Sequence, residues 1–257
     1  MGEVVDISRN KKRSNTPNGL AQIQFIAHST AVLTTEKGKR IIIDPWLDGN
    51  PRCPEELKGI SDLDAIILTH GHSDHCGSVL DLAEKCKVPV YAIFELANLL
   101  VEDGLEEGLV EPMGKGGTVE LRDGDGVKIH LTTAIHSSSY TKKDGTTHYS
   151  GEPCGVVVEL ESGRTLYHAG DTALYNDMSL IQEKFSPEIA MLPIGDRFTM
   201  GPLDAARAAQ LIKPKVAVPI HFDTFDLLTG TSADFEKFLL NSETQVVVLK
   251  PGENISF

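Results

Sequence analysis

The sequence predicts an α/β fold: two β-sheets packed face to face, each covered by helices on its outer side. Three observations carry this reading. Strands come first, then strands and helices mix, and this plan is run through twice along 257 residues. Several strands, "LDAIILT" among them, are continuous apolar runs, the mark of a strand covered on both faces. No linker separates the two halves, so sheets covered outside by helices would bury those strands within one unit.

The elements can be justified in order. Apolar alternation in "AQIQFIAHSTAVLTTEKGKRIIIDP" reads as three strands, with the "EKGK" hairpin turn between the last two and Gly38 free to take positive φ. "DPWLDGNPRCPEELKG" is a long loop rich in Pro and Gly. After the buried strand "LDAIILT", "CGSVLDLAEKCK" has helical spacing through Val79, Leu80, Leu82, Ala83 and Cys86. "VPVYAI" is a strand and "FELANLLVEDG" a helix ending near Gly104. "GTVELRDGDGVKIHLTTAIH" returns to short strands broken by glycines, and "GVVVELESGRTLYHAGD" is a hairpin turning at Ser162–Gly163. "SLIQEKF" is a short helix, "PEIAMLPIG" a strand, and "GPLDAARAAQLIKPK" a helix with Pro202 in its first turn, where Pro is favoured. "VAVPIHF" is a strand, "SADFEKFLLNS" a helix capped by Ser232, and "TQVVVLKPGENISF" closes the chain with a strand.

Composition narrows the function classes. A net charge of −13 disfavours nucleic acid, whose binders present a basic face. No apolar run approaches the ~20 residues that span a bilayer, so no membrane partner is expected. "MGEVVDISRNKKRSNTPNG" has no apolar core of a secretory signal; residues 1–19 read as a flexible polar arm ahead of a single domain over 20–257. Cys53, Cys76, Cys86 and Cys154 match no C-x-x-C spacing and are expected as reduced thiols in a cytoplasmic protein, Cys76 packing at a helix start.

The chemistry is concentrated in "THGHSDH", residues 69–75, which holds three of the nine histidines and one aspartate. Histidine is a poor core filler, so packing does not explain the cluster. His70 and His72, two apart, point to one side in extended backbone, while Asp74 and His75 follow as the chain turns into a helix. Nitrogen and oxygen donors without thiolate suit Zn²⁺, and also Mn²⁺, Fe or Ni²⁺. Further donors stand at the ends of later strands: His136 after "LTTAI", Asp171 in "HAGD" and His221 in "VPIH".

The order H-x-H-x-D-H, a distant His, an Asp in a "GD" turn and a last His resembles the metallo-β-lactamase superfamily, and "IIIDP" with Asp44 is similar to its first motif. The likeness runs from about residue 20 to the end. It implies a four-layer αββα sandwich with a two-metal site between the sheets. Carried over by motif, it implies that His70, His72 and His136 hold one metal, that Asp74, His75 and His221 hold the other, and that Asp171 bridges them. A water or hydroxide between the metals would be the nucleophile, Asp74 would also handle its proton, and Asp44 would orient a ligand from behind. "GDTALY", "PIGDRFTMGPLDAARAAQLIKPK" and "PIHFDTF" look like a compact branch of metal-dependent hydrolases to which ascorbate-6-phosphate lactonase is related. That branch also carries a His in the first hairpin, matched by His28, either aimed into the site or filling the core.

Departures from other branches narrow the expectation. A β-lactamase lacks an Asp at the bridging position of Asp171 and would carry a signal peptide. A glutathione-thioester hydrolase needs more chain than follows His221, RNA-processing relatives carry added domains or basic arms, and flavodiiron proteins a flavin domain. Arg197, before the helix of Pro202, is a candidate contact for an anionic substrate group. The polar stretch 137–153, with Ser137, Ser138, Lys142, Lys143, His148 and Tyr149, is a lid, a subunit contact or a solvated loop; His168 reads as a strand residue and His130 as a surface one. The leading expectation is a two-metal hydrolase of a small anionic ester or lactone. The alternatives are a phosphodiesterase acting on a nucleotide or lipid head group and a non-catalytic metal-binding protein. A homo-oligomer is compatible with the apolar helix faces.

Overall fold

The computed structural model describes residues 19–123 and 126–257. The polar arm expected over 1–19 lies, apart from Gly19, outside the described residues. The first half builds six strands of a seven-stranded sheet. β1 (Gln22–Ala27), β2 (Thr30–Thr34) and β3 (Arg40–Ile43) run antiparallel, as their short connections require. After α1 (Glu55–Lys58), β4 (Ala65–Ile67) adds in parallel. α2 (Ser73–Cys76) and α3 (Val79–Cys86) then carry the chain to β5 (Val90–Ile93), and α4 (Phe94–Glu102) carries it to β6 (Val110–Met113), both strands again parallel.

The second half repeats the plan. β7 (Thr118–Glu120) and β8 (Lys128–Thr133) pair antiparallel, and a separate hairpin of β9 (Ser139–Thr141) and β10 (Thr147–Tyr149) follows. β11 (Cys154–Glu159) and β12 (Thr165–His168) continue the sheet, which grows in parallel through β13 (Ile189–Pro193), β14 (Val216–Ile220) and β15 (Gln245–Val246). α5 (Ser179–Phe185), α6 (Pro202–Ile212) and α7 (Ser232–Leu239) are the intervening helices, and β16 (Asn254–Ser256) crosses back to pair with β1.

Period-two alternation makes the layers. Val156 and Val158 of β11 pack in one core with Ile41, Ile67, Met191 and Val218, drawn from both sheets. Val157, between them, faces the other way and joins Tyr167, Ala190, Leu192 and Ala217 against Ile181 of α5, Ala205 and Ala209 of α6 and Phe235 of α7. Each such buried aliphatic side chain contributes about 1.5–3 kcal/mol. The result is helices, sheet, sheet, helices, the expected four-layer αββα order. No helix among the described residues is long and apolar enough to cross a membrane.

Several expectations need correction. Val110–Met113 is a strand that its weak alternation did not announce. The closing strand is two short ones, β15 and β16, in different sheets, because "KPGE" turns the chain between them. The cap of α7 is Thr231, whose hydroxyl accepts from the Asp234 N–H at 3.1 Å; Ser232 is already helical. His130 is buried rather than on the surface, beneath Phe185 and 2.8 Å from Thr118 Oγ1. The polar stretch after His136 forms the β9–β10 hairpin. Tyr140 donates to Asp103 at 2.7 Å and Lys142 pairs with Glu102, which fastens the hairpin to the end of α4.

Four hydrogen bonds stitch the halves together at one edge. Cys154 N–H donates to Thr69 O (2.9 Å), His221 N–H to His28 O (2.8 Å), and Gly71 N–H to Ser138 Oγ (3.2 Å). The fourth is made by His168, a strand residue as expected. Gly170 N–H donates to its Nδ1 at 3.1 Å, so Nε2 carries the proton and donates to Ser29 O at 2.9 Å.

Burial lowers the pKa of His168 below its ordinary 6.5. As pH falls the unfolded chain takes up the proton first. The contribution of His168 is therefore whole above about pH 6.5 and is lost progressively below it. His168→Gln should cost about 2–4 kcal/mol near neutral pH by leaving a buried carbonyl and amide poorly paired. The gap in melting temperature between wild type and variant should narrow as pH falls below about 6. A gap independent of pH would show that this ring does not titrate on unfolding.

Candidate metal centre

The candidate donors stand where strands end at the stitched edge. β1 ends at Ala27 and His28 follows with φ 58°; β3 ends at Ile43 and Asp44 follows with φ 50°; β14 ends at Ile220 and His221 follows with φ 54°. Each adopts the left-handed region, sparsely used by residues with a Cβ, and held only where the surroundings over-determine it. The turn out of the strand brings the side chain into the gap between the sheets. Asp171 reaches the same gap through Gly170, at φ 60°.

There the structure brings together six of the nine histidines. Donor atoms of His70, His72 and His136 form one group, and those of His28, Asp74, His75 and His221 a second, each within 4.8 Å. His70, His75 and Asp171 form a third group that overlaps both. Asp171 lies between: its Oδ2 is 3.6 Å from His136 Nε2, 3.3 Å from His75 Nε2 and 3.1 Å from His221 Nε2. His28 therefore points into the site and not into the sheet core. Its Nε2 is 3.2 Å from Asp74 Oδ2, its Nδ1 2.9 Å from Thr224 Oγ1, and its ring lies 3.9 Å from that of His221. Thr224 was not a sequence candidate; a hydroxyl three residues after His221 carries no signal of its own.

Asp44 lies behind the donors and is fully buried. Its Oδ1 accepts from Thr69 N–H at 2.8 Å, and its Oδ2 from Thr69 Oγ1 at 2.7 Å and from His75 Nδ1 at 2.8 Å. The single hydroxyl proton of Thr69 being used, His70 Nδ1, 3.0 Å away, must donate to Thr69 Oγ1. Asp44 thus sets the tautomer of His75 directly and of His70 through Thr69. Both rings then present Nε2 to the gap, and on His75 a bound cation would take the place of the proton that the two carboxylates favour there.

The electrostatics follow from burial. Burial lowers the pKa of His70 far below its ordinary value and, more mildly, those of His72 and His136. It brings His28 to about 4, against the opposing hydrogen bond that His28 donates to Asp74. Burial would push His75 down too, but the carboxylates of Asp171 and Asp44 outweigh it and hold its pKa well above the ordinary value. Asp171, which burial would raise, is held well below the usual carboxylate range by His221 and His75. Burial likewise opposes the ionisation of Asp74, and the His28 hydrogen bond together with the nearby His75 and His28 charges outweighs it.

The donor set fits a cation. His75 Nε2, Asp171 Oδ1 and His221 Nδ1 are buried with no hydrogen-bond partner. Imidazole and carboxylate donors, nitrogen and oxygen with no thiolate, match the preferences of Zn²⁺ and its neighbours. Cys76 is no donor to the gap: its Sγ donates to Gly71 O at 3.1 Å. Arg197 is exposed, with its guanidinium 5.5 Å from the ring centre of Phe198, and no described contact joins it to the donors. Ser138 proves to support the site, since its hydroxyl accepts from Gly71 within the histidine turn.

Known proteins resemble this chain in sequence and fold. A family model described as "Beta-lactamase superfamily domain" matches residues 39–222. A UPF0173 metal-dependent hydrolase of Rubrobacter xylanophilus is 45% identical over 239 residues, covering 92% of this chain and 97% of its own. One from Koribacter versatilis is 42% identical, covering 91% and 97%. Among solved structures, Igni18, a metallo hydrolase from the archaeon Ignicoccus hospitalis, superposes with a TM-score of 0.81 at 32% identity, over 93% of this chain and 98% of its own.

Asp44→Asn places an amide where two donors now meet a carboxylate oxygen. Affinity for Zn²⁺, measured by competition with a chromophoric chelator, should fall about 10–100-fold. Unchanged affinity would mean that Asp44 does not set the ligand tautomers.

Proposed function

The chain belongs to the metallo-β-lactamase superfamily, among its metal-dependent hydrolases, and on that premise we propose that it hydrolyses a small carboxylic ester or lactone at a two-metal site. The observation that carries the proposal is the position of Asp171, one carboxylate oxygen of which lies within 3.6 Å of imidazoles from both donor groups. His70, His72 and His136 would hold one divalent ion and Asp74, His75 and His221 the other, with Asp171 shared. Zinc is the first choice for such donors, and manganese, iron or nickel are compatible with them. Bound there, two ions would lower the pKa of a water between them and polarise the carbonyl oxygen.

The chain's own groups supply the rest. Asp44 keeps His75 and His70 in the ligating tautomer. Asp74 is the half-open donor, with 29% of its side chain exposed, and is held ionised by His28. It is placed to accept the proton that the attacking water gives up and to return it to the oxygen that leaves as the acyl C–O bond breaks. The anionic substrate group expected from Arg197 has no support among the described contacts, so charge on the substrate is not required by this reading.

Metal-loaded protein should turn over at least one lactone or carboxylic ester in a panel that includes thioesters and bis-4-nitrophenyl phosphate. At saturating metal, Asp74→Asn should lower kcat about 10²–10⁴-fold. Turnover of the phosphodiester and of no lactone or ester would replace this reading with phosphodiester cleavage. No turnover at all, with metal still required for stability, would leave a metal-binding protein without catalysis.

A further inference from the structure

The second donor group has an apolar neighbour that metal binding does not explain. His28, whose Nε2 is on Asp74, has its ring 5.3 Å from that of Trp46 and 5.7 Å from that of Phe225. Trp46 and Phe225 lie 5.8 Å apart, tilted by 35°. One imidazole thus has His75 and His221 as aromatic neighbours belonging to the donor set, and a Trp–Phe pair as two that do not. Trp46 follows β3 of the first sheet and Phe225 follows β14 of the second, so each sheet contributes one ring.

Trp46 is seated, although its side chain is only partly covered. Its amide donates to Thr30 Oγ1 at 3.1 Å and its carbonyl accepts from Asn50 Nδ2 at 3.2 Å. Two glycines leave room for the indole. A Cβ at Gly49 would lie 2.7 Å from Trp46 Nε1, and one at Gly77 would lie 3.0 Å from Cδ1. Phe225 remains 39% exposed beside it. The loops that carry the two rings are also joined at the surface, where Arg52 pairs with Asp223 at 3.1 Å. Two loops joined in this way hold both rings against His28, whose Nε2 is on the partly exposed Asp74. The rings touch each other, so no second ring fits between them; they offer one continuous apolar wall.

We propose that Trp46 and Phe225 form an apolar subsite that receives the part of the substrate next to the scissile bond, so that the substrate is an ester or lactone bearing an aromatic or comparably bulky apolar group. This rests on the hydrolase reading above for the bond that is cleaved, but not for the binding itself. An aromatic group stacked on such a wall gains beyond its simple burial, and the gain is lost when one ring of the wall is removed. A wall that served only to close the two loops would contribute to stability and would not discriminate among ligands.

Trp46 is the one tryptophan of the chain, so its emission reports on the wall alone. The metal-loaded full-length protein is titrated with acetate and with phenylacetate, which share a carboxylate and differ in the ring. Phenylacetate should bind at least about tenfold tighter than acetate and shift or quench Trp46 emission saturably. Phe225→Ala should reduce that preference to about threefold or less, with acetate affinity unchanged, and Phe225→Leu should restore part of it. In parallel, kcat/KM is compared for dihydrocoumarin and γ-butyrolactone, with a preference for the aromatic lactone that Phe225→Ala removes. Equal binding of the two carboxylates, or a preference untouched by both Phe225 variants, overturns the subsite. Turnover of both lactones alike with no phenylacetate preference would overturn the subsite and leave the hydrolase reading standing. Tight phenylacetate binding with no turnover of either lactone would do the reverse.

Discussion

His75 lies between two buried carboxylates, Asp44 2.8 Å from its Nδ1 and Asp171 3.3 Å from its Nε2. Two buried negative charges are costly unless positive charge balances them. One imidazole supplies at most one charge, as a proton on Nε2. A divalent ion at that nitrogen supplies more and also meets the lone pairs of the surrounding rings. The buried, unpartnered Asp171 Oδ1 is the remainder of the same demand. The histidine turn, the placement of Asp44 and the meeting of the two sheets all serve this arrangement.

The fold meets the demand by a repeated device. A strand buried on both faces needs no polar group within it, and its last residue is the first free to carry one. At His28, Asp44 and His221 that residue turns into the left-handed region, which ends the strand and re-aims the side chain. Such conformations are costly alone. Here they are held by fixed neighbours: His28 O accepts from His221 N–H of the other half, and Asp44 accepts twice from Thr69 at the end of the next strand. Donors from opposite sheets are thereby fixed at short range by backbone, which leaves little to side-chain freedom.

Much of this was legible because the periodicities are strong. Continuous apolar runs marked the buried strands, and the donors at their ends followed in an order specific to one superfamily. What was not legible depends on contacts remote in sequence. His28 could not be placed from its hairpin alone, because its orientation is decided by Thr224 and Asp74, which are 196 and 46 residues away. His130 looked exposed from its strand position and is covered by Phe185 of a later helix. The polar stretch after His136 has the composition of a loose loop. It is a hairpin because its own register, Tyr140 opposite His148, is reinforced by Asp103 and Glu102 at the end of α4. Arg197, a candidate by its place before a helix, has its guanidinium over the ring of the neighbouring Phe198.

The central claim is a shared carboxylate between two metal positions, and metal content per chain tests it most directly. Wild type and Asp171→Ala are purified without chelator, loaded with Zn²⁺ or Mn²⁺, freed of excess and measured by elemental analysis. Close to two ions per wild-type chain, falling clearly in the variant, is the result expected of a bridging Asp171. One ion or none in wild type, unchanged by the substitution and not raised by added metal, would contradict it.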